Sequence, residues 1–189
     1  MTLQKNAADF RDAAESRKKI FDKAVKLYNS DLFQWVEYPK DTKVNKIGTT
    51  TSAVYAFFVK NPCVHVEGIL TAVNQAKQAN CKKNKLPKAN KTNQNSFKEK
   101  GCLYVGSVTS EALGDRKKEH WRENSEKGDK TYALKLNDWI NAAEIDKNDI
   151  VVYYCDLANQ EKEMVRVIED CLATMYCPLL GKRGDSPRI

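Results

Sequence analysis

AVYAFFV, residues Ala53 to Val59, is a run of β-branched and aromatic side chains without a single charge, bounded by Thr51-Ser52 before it and Asn61-Pro62 after it. Such a run reads as a buried strand, because nothing in it prefers water and its length suits a strand better than a helix. Cys102 to Ser107 and Ile150 to Cys155 have the same character and give two more strands. Helices are expected around them. Residues 4 to 28 place Phe10, Ala14, Phe21, Val25 and Tyr28 near a common stripe, and Thr109 or Ser110 is positioned to cap a helix through Glu111 to Arg122. Tyr132 to Ala142 suggests a further helical segment, and Gln160 to Cys177 carries Met164, Val165, Ile168, Leu172 and Met175 at helical spacing until Pro178 ends it. The apolar cluster Leu32 to Tyr38 runs to Pro39, and the polar stretch that follows sets a boundary near residue 50. The expected fold is α/β of the α+β kind: a small three-stranded sheet flanked by helices, with an N-terminal helical extension over 1–50. The second unit, 51–189, carries an insertion at about 61–100.

A chain of 189 residues with 41% hydrophobic content buries one core and leaves too little for two full domains. The longest apolar run is far too short to span a bilayer. The first residues carry Lys5, Asp9, Arg11 and Asp12 where an export signal needs apolar side chains. These features imply a cytoplasmic chain with no membrane partner, whose six cysteines are reduced thiols. Cys63, His65, Cys81 and Cys102 do not match the paired spacing of structural zinc sites.

The excess charge of +7 is concentrated between Lys77 and Lys100, where eight lysines face the single acid Glu99. The rest of the chain balances, so it reads as a neutral globule carrying a cationic loop, and polyanions are the natural partner. Within that loop Lys82, Lys83, Lys85, Lys88 and Lys91 are the candidate contacts to DNA phosphates, the alternative being a solvated surface insertion.

Chemistry concentrates in five residues. His120 lies four positions after Arg116, a spacing that puts a phosphate-binding fork and a proton carrier on one helical face. Glu169 falls against the apolar stripe of the last helix and needs a partner there, either a hard divalent cation or a salt bridge to Arg166 or Arg116. Tyr55 and Tyr104 sit in the first and second strands, where pairing would bring their hydroxyls to the same end of the sheet. Gly106 would let a backbone or a phosphate approach closely.

This set resembles the GIY-YIG nuclease family. Ala53-Val54-Tyr55 stands in place of GIY and Tyr104-Val105-Gly106 in place of YIG, followed by Ser107, Arg116, His120 and then Glu169 in a helix ended by Pro178. The resemblance spans roughly residues 52 to 184 and implies an antiparallel sheet and a Mg²⁺- or Mn²⁺-dependent DNA endonuclease. By the same resemblance Glu169 holds the metal beside the leaving oxygen and Arg116 clamps the phosphate. Tyr104 orients or deprotonates the attacking water, assisted by Tyr55 and with His120 as a relay. The chain departs from the pattern in keeping only the tyrosine of the first motif, in the length of the insertion, and in having Leu179, Leu180 and Gly181 where an asparagine commonly follows the proline. A compact restriction-type enzyme, with specificity from the insertion, the first fifty residues or homodimer formation, fits these features. The alternatives are a nucleic-acid-binding module that keeps the fold without the chemistry, and an interaction domain whose lysines only solubilise it.

Overall fold

The computed structural model describes residues 7–38, 49–79, 86–121 and 133–181. AVYAFFV forms the strand at the heart of the molecule. With β1 Val36–Glu37, β2 Ala53–Val59, β3 Cys102–Val108 and β4 Ile150–Asp156, the sheet runs in the order β1-β4-β2-β3, each neighbouring pair antiparallel. β2 is therefore a central strand with ladder partners on both edges and packed side chains on both faces, which is why its sequence shows no polar alternation. The sheet has four strands, not the three expected. The extra strand, β1, is two residues long and pairs Val36 with Tyr154 and Glu37 with Tyr153, a register that only the folded chain defines.

Five helices cover the sheet: α1 Ala7–Tyr28, α2 Pro62–Ala79, α3 Gln94–Lys100, α4 Leu113–Trp121 and α5 Lys162–Tyr176. They divide between the two faces. One face presents Ala53, Tyr55, Phe57 and Tyr154 to α2 and to the segment 134–145, where Leu134, Leu136, Trp139, Ile140 and Ile145 are buried. The other presents Val54, Ala56, Val105 and Cys155 to α1 and α5. Burying apolar side chains on both faces supplies the main drive for folding.

Several expectations change at this level. α1 does not seat the stripe Phe21, Val25 and Tyr28, which stays exposed; Ile20, Ala24 and Leu27, also spaced i, i+4, i+7, face the α5 layer, and the small Ala24 permits close approach. The stretch 136–144 is helix-like and not a regular α-helix: a 3₁₀ turn, Leu136–Asp138, is followed by further turns, with the Ile140 and Ala143 amides donating to the Leu136 and Trp139 carbonyls. The insertion is not one solvated loop. Its first half is α2, with Val66, Ile69, Leu70, Val73 and Ala76 buried, and its second half is pinned by buried Leu86 and Phe97.

β3 lies at the sheet edge, and residues 178–181 cover it. The Leu179 and Leu180 amides donate to the carbonyls of Cys102 and Leu103. On the outer side the Asn90 amide donates to the Leu179 carbonyl and the Gly181 amide to that of Lys88. The side-chain amides of Asn90 and Asn93 both donate to the Pro178 carbonyl, at 3.1 and 3.0 Å. A strap of four residues thus satisfies backbone groups that an open edge would leave unpaired. No described helix is long and apolar enough to cross a membrane.

Candidate active site

Register and pleat decide which side chains meet. Tyr55 lies opposite Gly106 and Phe57 opposite Tyr104, so the two tyrosines sit diagonally on one face, rings stacked at 6.4 Å between centroids and 26° between planes. A bulge between Phe57 and Phe58 interrupts this pairing one residue beyond Tyr104. The close approach that Gly106 permits comes from inside the protein: a Cβ at that position would stand 2.5 Å from the Tyr55 hydroxyl and 2.8 Å from the Tyr104 ring. Glycine is required there for the tyrosines to converge.

α4 brings Arg116 and His120 onto the same hydroxyl. His120 is fully buried, and its Nδ1 accepts the Leu134 amide at 3.0 Å, which fixes the unprotonated nitrogen of the ring. Nε2 therefore carries the hydrogen and donates to Tyr55 Oη at 3.0 Å. Arg116 Nε donates to the same oxygen at 3.2 Å. Tyr55 Oη thus receives two hydrogen bonds, and its own proton is left to donate outward. The Arg116 charge also acts on the neighbouring Tyr104 phenol. Its Nη1 reaches Glu119 at 2.6 Å, with Glu111 at 3.6 Å from Nε.

Burial, and then the Arg116 charge, hold His120 well below its ordinary pKa. A neutral, enclosed imidazole with both nitrogens engaged is a fixed donor, not the relay the sequence suggested. Burial likewise pushes Tyr55 above the usual phenol range, reinforced by Tyr104 and opposed by Arg116. Tyr104 is raised too, first by burial, with Arg116 opposing. Both phenols are protonated near neutral pH and act as donors. Behind Tyr55, between Tyr38, Leu113, Lys117 and Val152, there is a cavity of only about 10 Å³, too little for a substrate.

Glu169 approaches from the opposite face. Alternation along β3 turns Ser107 toward α5 while Tyr104 and Gly106 face α4, and the Ser107 hydroxyl donates to Glu169 Oε2 at 2.5 Å. The carboxylate is half-buried and acts electrostatically on both Tyr55 and Tyr104. Among the described residues it has no cation within salt-bridge distance, so neither Arg166 nor Arg116 is its partner. Sequence reasoning assigned no role to Ser107, Glu111, Glu119 or the Leu134 amide. The first was accessible from period-two alternation and Glu119 from its i, i+3 spacing to Arg116; the Leu134 contact has no local signal.

The donor set can be weighed against a metal. Around the two phenols lie the Arg116 guanidinium and the Lys117 ammonium, with Glu111 and Glu119 beside Arg116 and Glu169 acting from the other face. Among the described residues no group of three His, Cys, Asp or Glu side chains gathers as a metal cage. A hard cation held through the single Glu169 carboxylate, with water completing its shell, fits these donors. The lysines divide: Lys82, Lys83 and Lys85 lie outside the described residues, while Lys88 and Lys91 are exposed beside the strap.

No protein-family model, curated protein or solved structure matches this chain.

Proposed function

We propose that the chain is a divalent-metal-dependent endonuclease that hydrolyses phosphodiester bonds in DNA, of the GIY-YIG kind and, within it, restriction-type. The observation that carries the proposal is the convergence of Tyr55, Arg116 and His120 through hydrogen bonds on the Tyr55 hydroxyl, with the Tyr104 ring packed against Tyr55 and His120 at a glycine and Glu169 in electrostatic reach. The protonated Tyr104 phenol would offer an O–H donor to a phosphoryl oxygen, the buried Tyr55 stacked on it assists by holding its ring in place, and Arg116 would supply positive charge to the developing transition state. Tyr104, only partly buried in the core cluster, would orient the attacking water. His120 locks Tyr55 from behind, and Ser107 holds Glu169 in the position from which it would bind Mg²⁺ or Mn²⁺. When bound, that ion supplies charge neutralisation and acidifies coordinated water. Lys88 and Lys91, with Lys82, Lys83 and Lys85, would neutralise the flanking backbone phosphates, and the working compartment would be the cytoplasm.

The test is incubation of native protein and Glu169→Ala with plasmid DNA and Mg²⁺. Native protein should nick or linearise the plasmid, the variant should not, and both should bind DNA with the same salt dependence. Equal cutting by the two would overturn the assignment.

A second reading, a nucleic-acid-binding module on the same fold without the chemistry, is favoured by one observation: Arg116 already engages Glu119 and the Tyr55 hydroxyl. Absence of nicking by native protein with Mg²⁺, Mn²⁺ and Ca²⁺, alongside retained DNA binding, would select it.

A further inference from the structure

A second cavity, away from the tyrosine cluster, has no acidic side chain among the described residues that line it. It measures about 340 Å³ and lies between the last turns of α2, which contribute Asn74 and Lys77, and the segment carrying Lys88, Ala89, Lys91 and Thr92. Three lysines and two neutral polar residues thus border one space. Lys77 is half-buried, and burial followed by the neighbouring Lys88 charge lowers its pKa, so the like charges are held together at a cost.

The backbone that carries two of these lysines is fixed. Ala89 forms a bridge with Leu180, the Lys88 carbonyl accepts the Gly181 amide, and Asn90 and Asn93 clamp Pro178. The lysine stems thus begin from set positions on either side of the cavity, which cuts the ordering cost of binding a small anion.

We infer that this pocket binds a phosphate group through Lys77, Lys88 and Lys91, with Asn74 and Thr92 as neutral donors. The phosphate is carried either on a nucleic-acid strand or on a free phosphorylated small molecule. A phosphate matches the lining because its oxygens accept from several ammonium donors at once and its charge relieves their repulsion. Gly181, whose amide holds the pocket's Lys88 carbonyl, lies against the Tyr104 ring, where an added Cβ would be 4.0 Å from the ring edge. On the nucleic-acid arm, which alone rests on the endonuclease reading, the pocket would hold a second phosphate of the strand whose scissile bond lies at Tyr104.

The experiment compares the full native chain with Lys77→Gln/Lys91→Gln and with Glu169→Ala, after checking by circular dichroism that all three melt alike. Calorimetric titration with inorganic pyrophosphate, without metal, should show binding by native protein and by Glu169→Ala. The double lysine variant should bind at least roughly tenfold more weakly. Lys77→Arg, keeping the charge, should bind pyrophosphate, which separates electrostatics from a packing defect. No binding by native protein at millimolar pyrophosphate, or equal binding by the double variant, would overturn the pocket whether or not the protein cuts DNA. Fluorescence anisotropy on duplex DNA then assigns the source. A log-log salt slope made shallower by about 2 in the double variant places a strand phosphate in the pocket, whereas an unchanged slope with lost pyrophosphate binding assigns it to a small molecule.

Discussion

The two faces of β3 differ in kind. Tyr104 and Gly106 point toward a largely enclosed network that runs from the Leu134 amide through His120 and Tyr55 to Arg116 and Glu119. Ser107, one residue along, points the other way to a half-buried carboxylate with one hydrogen bond. The pleat of a single strand thus sends an interlocked, buried set of side chains to one face and a partly exposed carboxylate contact to the other. The buried side is a scaffold that pre-aims donors, and the open side offers a ligand position.

Four substitutions or conditions would break or sharpen that contrast. The largest effect is expected from His120→Ala, which empties a site packed against the rings of Tyr55, Phe57 and Tyr104 and strands the Leu134 amide. A loss of about 3 kcal/mol in urea unfolding is expected, and a loss under 1 kcal/mol would show that the network is not a scaffold. Next, Gly106→Ala forces its methyl against the Tyr55 hydroxyl and should destabilise by about 2 kcal/mol, with loss of DNA nicking. Normal melting and activity would show that the tyrosines do not need their observed convergence.

Acid should act on the same side. Because the folded pKa of His120 is depressed, the unfolded chain binds more protons below about pH 6.5. The stability that neutral His120 contributes is present above that pH and is lost as pH falls toward the folded value, by up to about 1.4 kcal/mol per unit. Denaturant midpoints measured from pH 7.5 to 5 should fall more steeply for native protein than for His120→Gln, and parallel curves would sink the claim. The smallest stability change belongs to the open face. Glu169→Ala and Ser107→Ala should each shift unfolding by only about 0.5 kcal/mol. Ser107→Ala should nevertheless slow Mg²⁺-dependent cutting severalfold by freeing the carboxylate. A large stability loss in either would erase the distinction between scaffold and ligand.

Legibility in the sequence follows the range of the interaction. β2, β3, β4, α1 and α5 are readable because their signals are local: uninterrupted β-branched and aromatic runs, or apolar spacing ended by Pro178. α2 is also local, with Val66, Ile69, Leu70 and Val73 at helical spacing, but it lies beside the lysine-rich stretch whose charge dominates a reading of that region. β1 is not readable, since two residues become a strand only by pairing with β4. Nor does periodicity choose between the two stripes of α1, because only the packing against α5 leaves Phe21 and Val25 outside. At the candidate site, the R-x-x-x-H spacing conveys that Arg116 and His120 share a face, and the structure adds that both donate to one oxygen. That Glu169 comes from the far side through Ser107, and that Arg116 engages two acids of its own helix region, depends on contacts that no single motif encodes.

The strap over β3 also bears on how the folded chain keeps to itself. Without residues 178–181, the Cys102 and Leu103 carbonyls would have no amide to meet, and the outer row of a seven-residue strand would stand open. Such a rim is a template for recruiting a foreign strand, and a chain cleaved ahead of Pro178 would gather into sheet-linked aggregates.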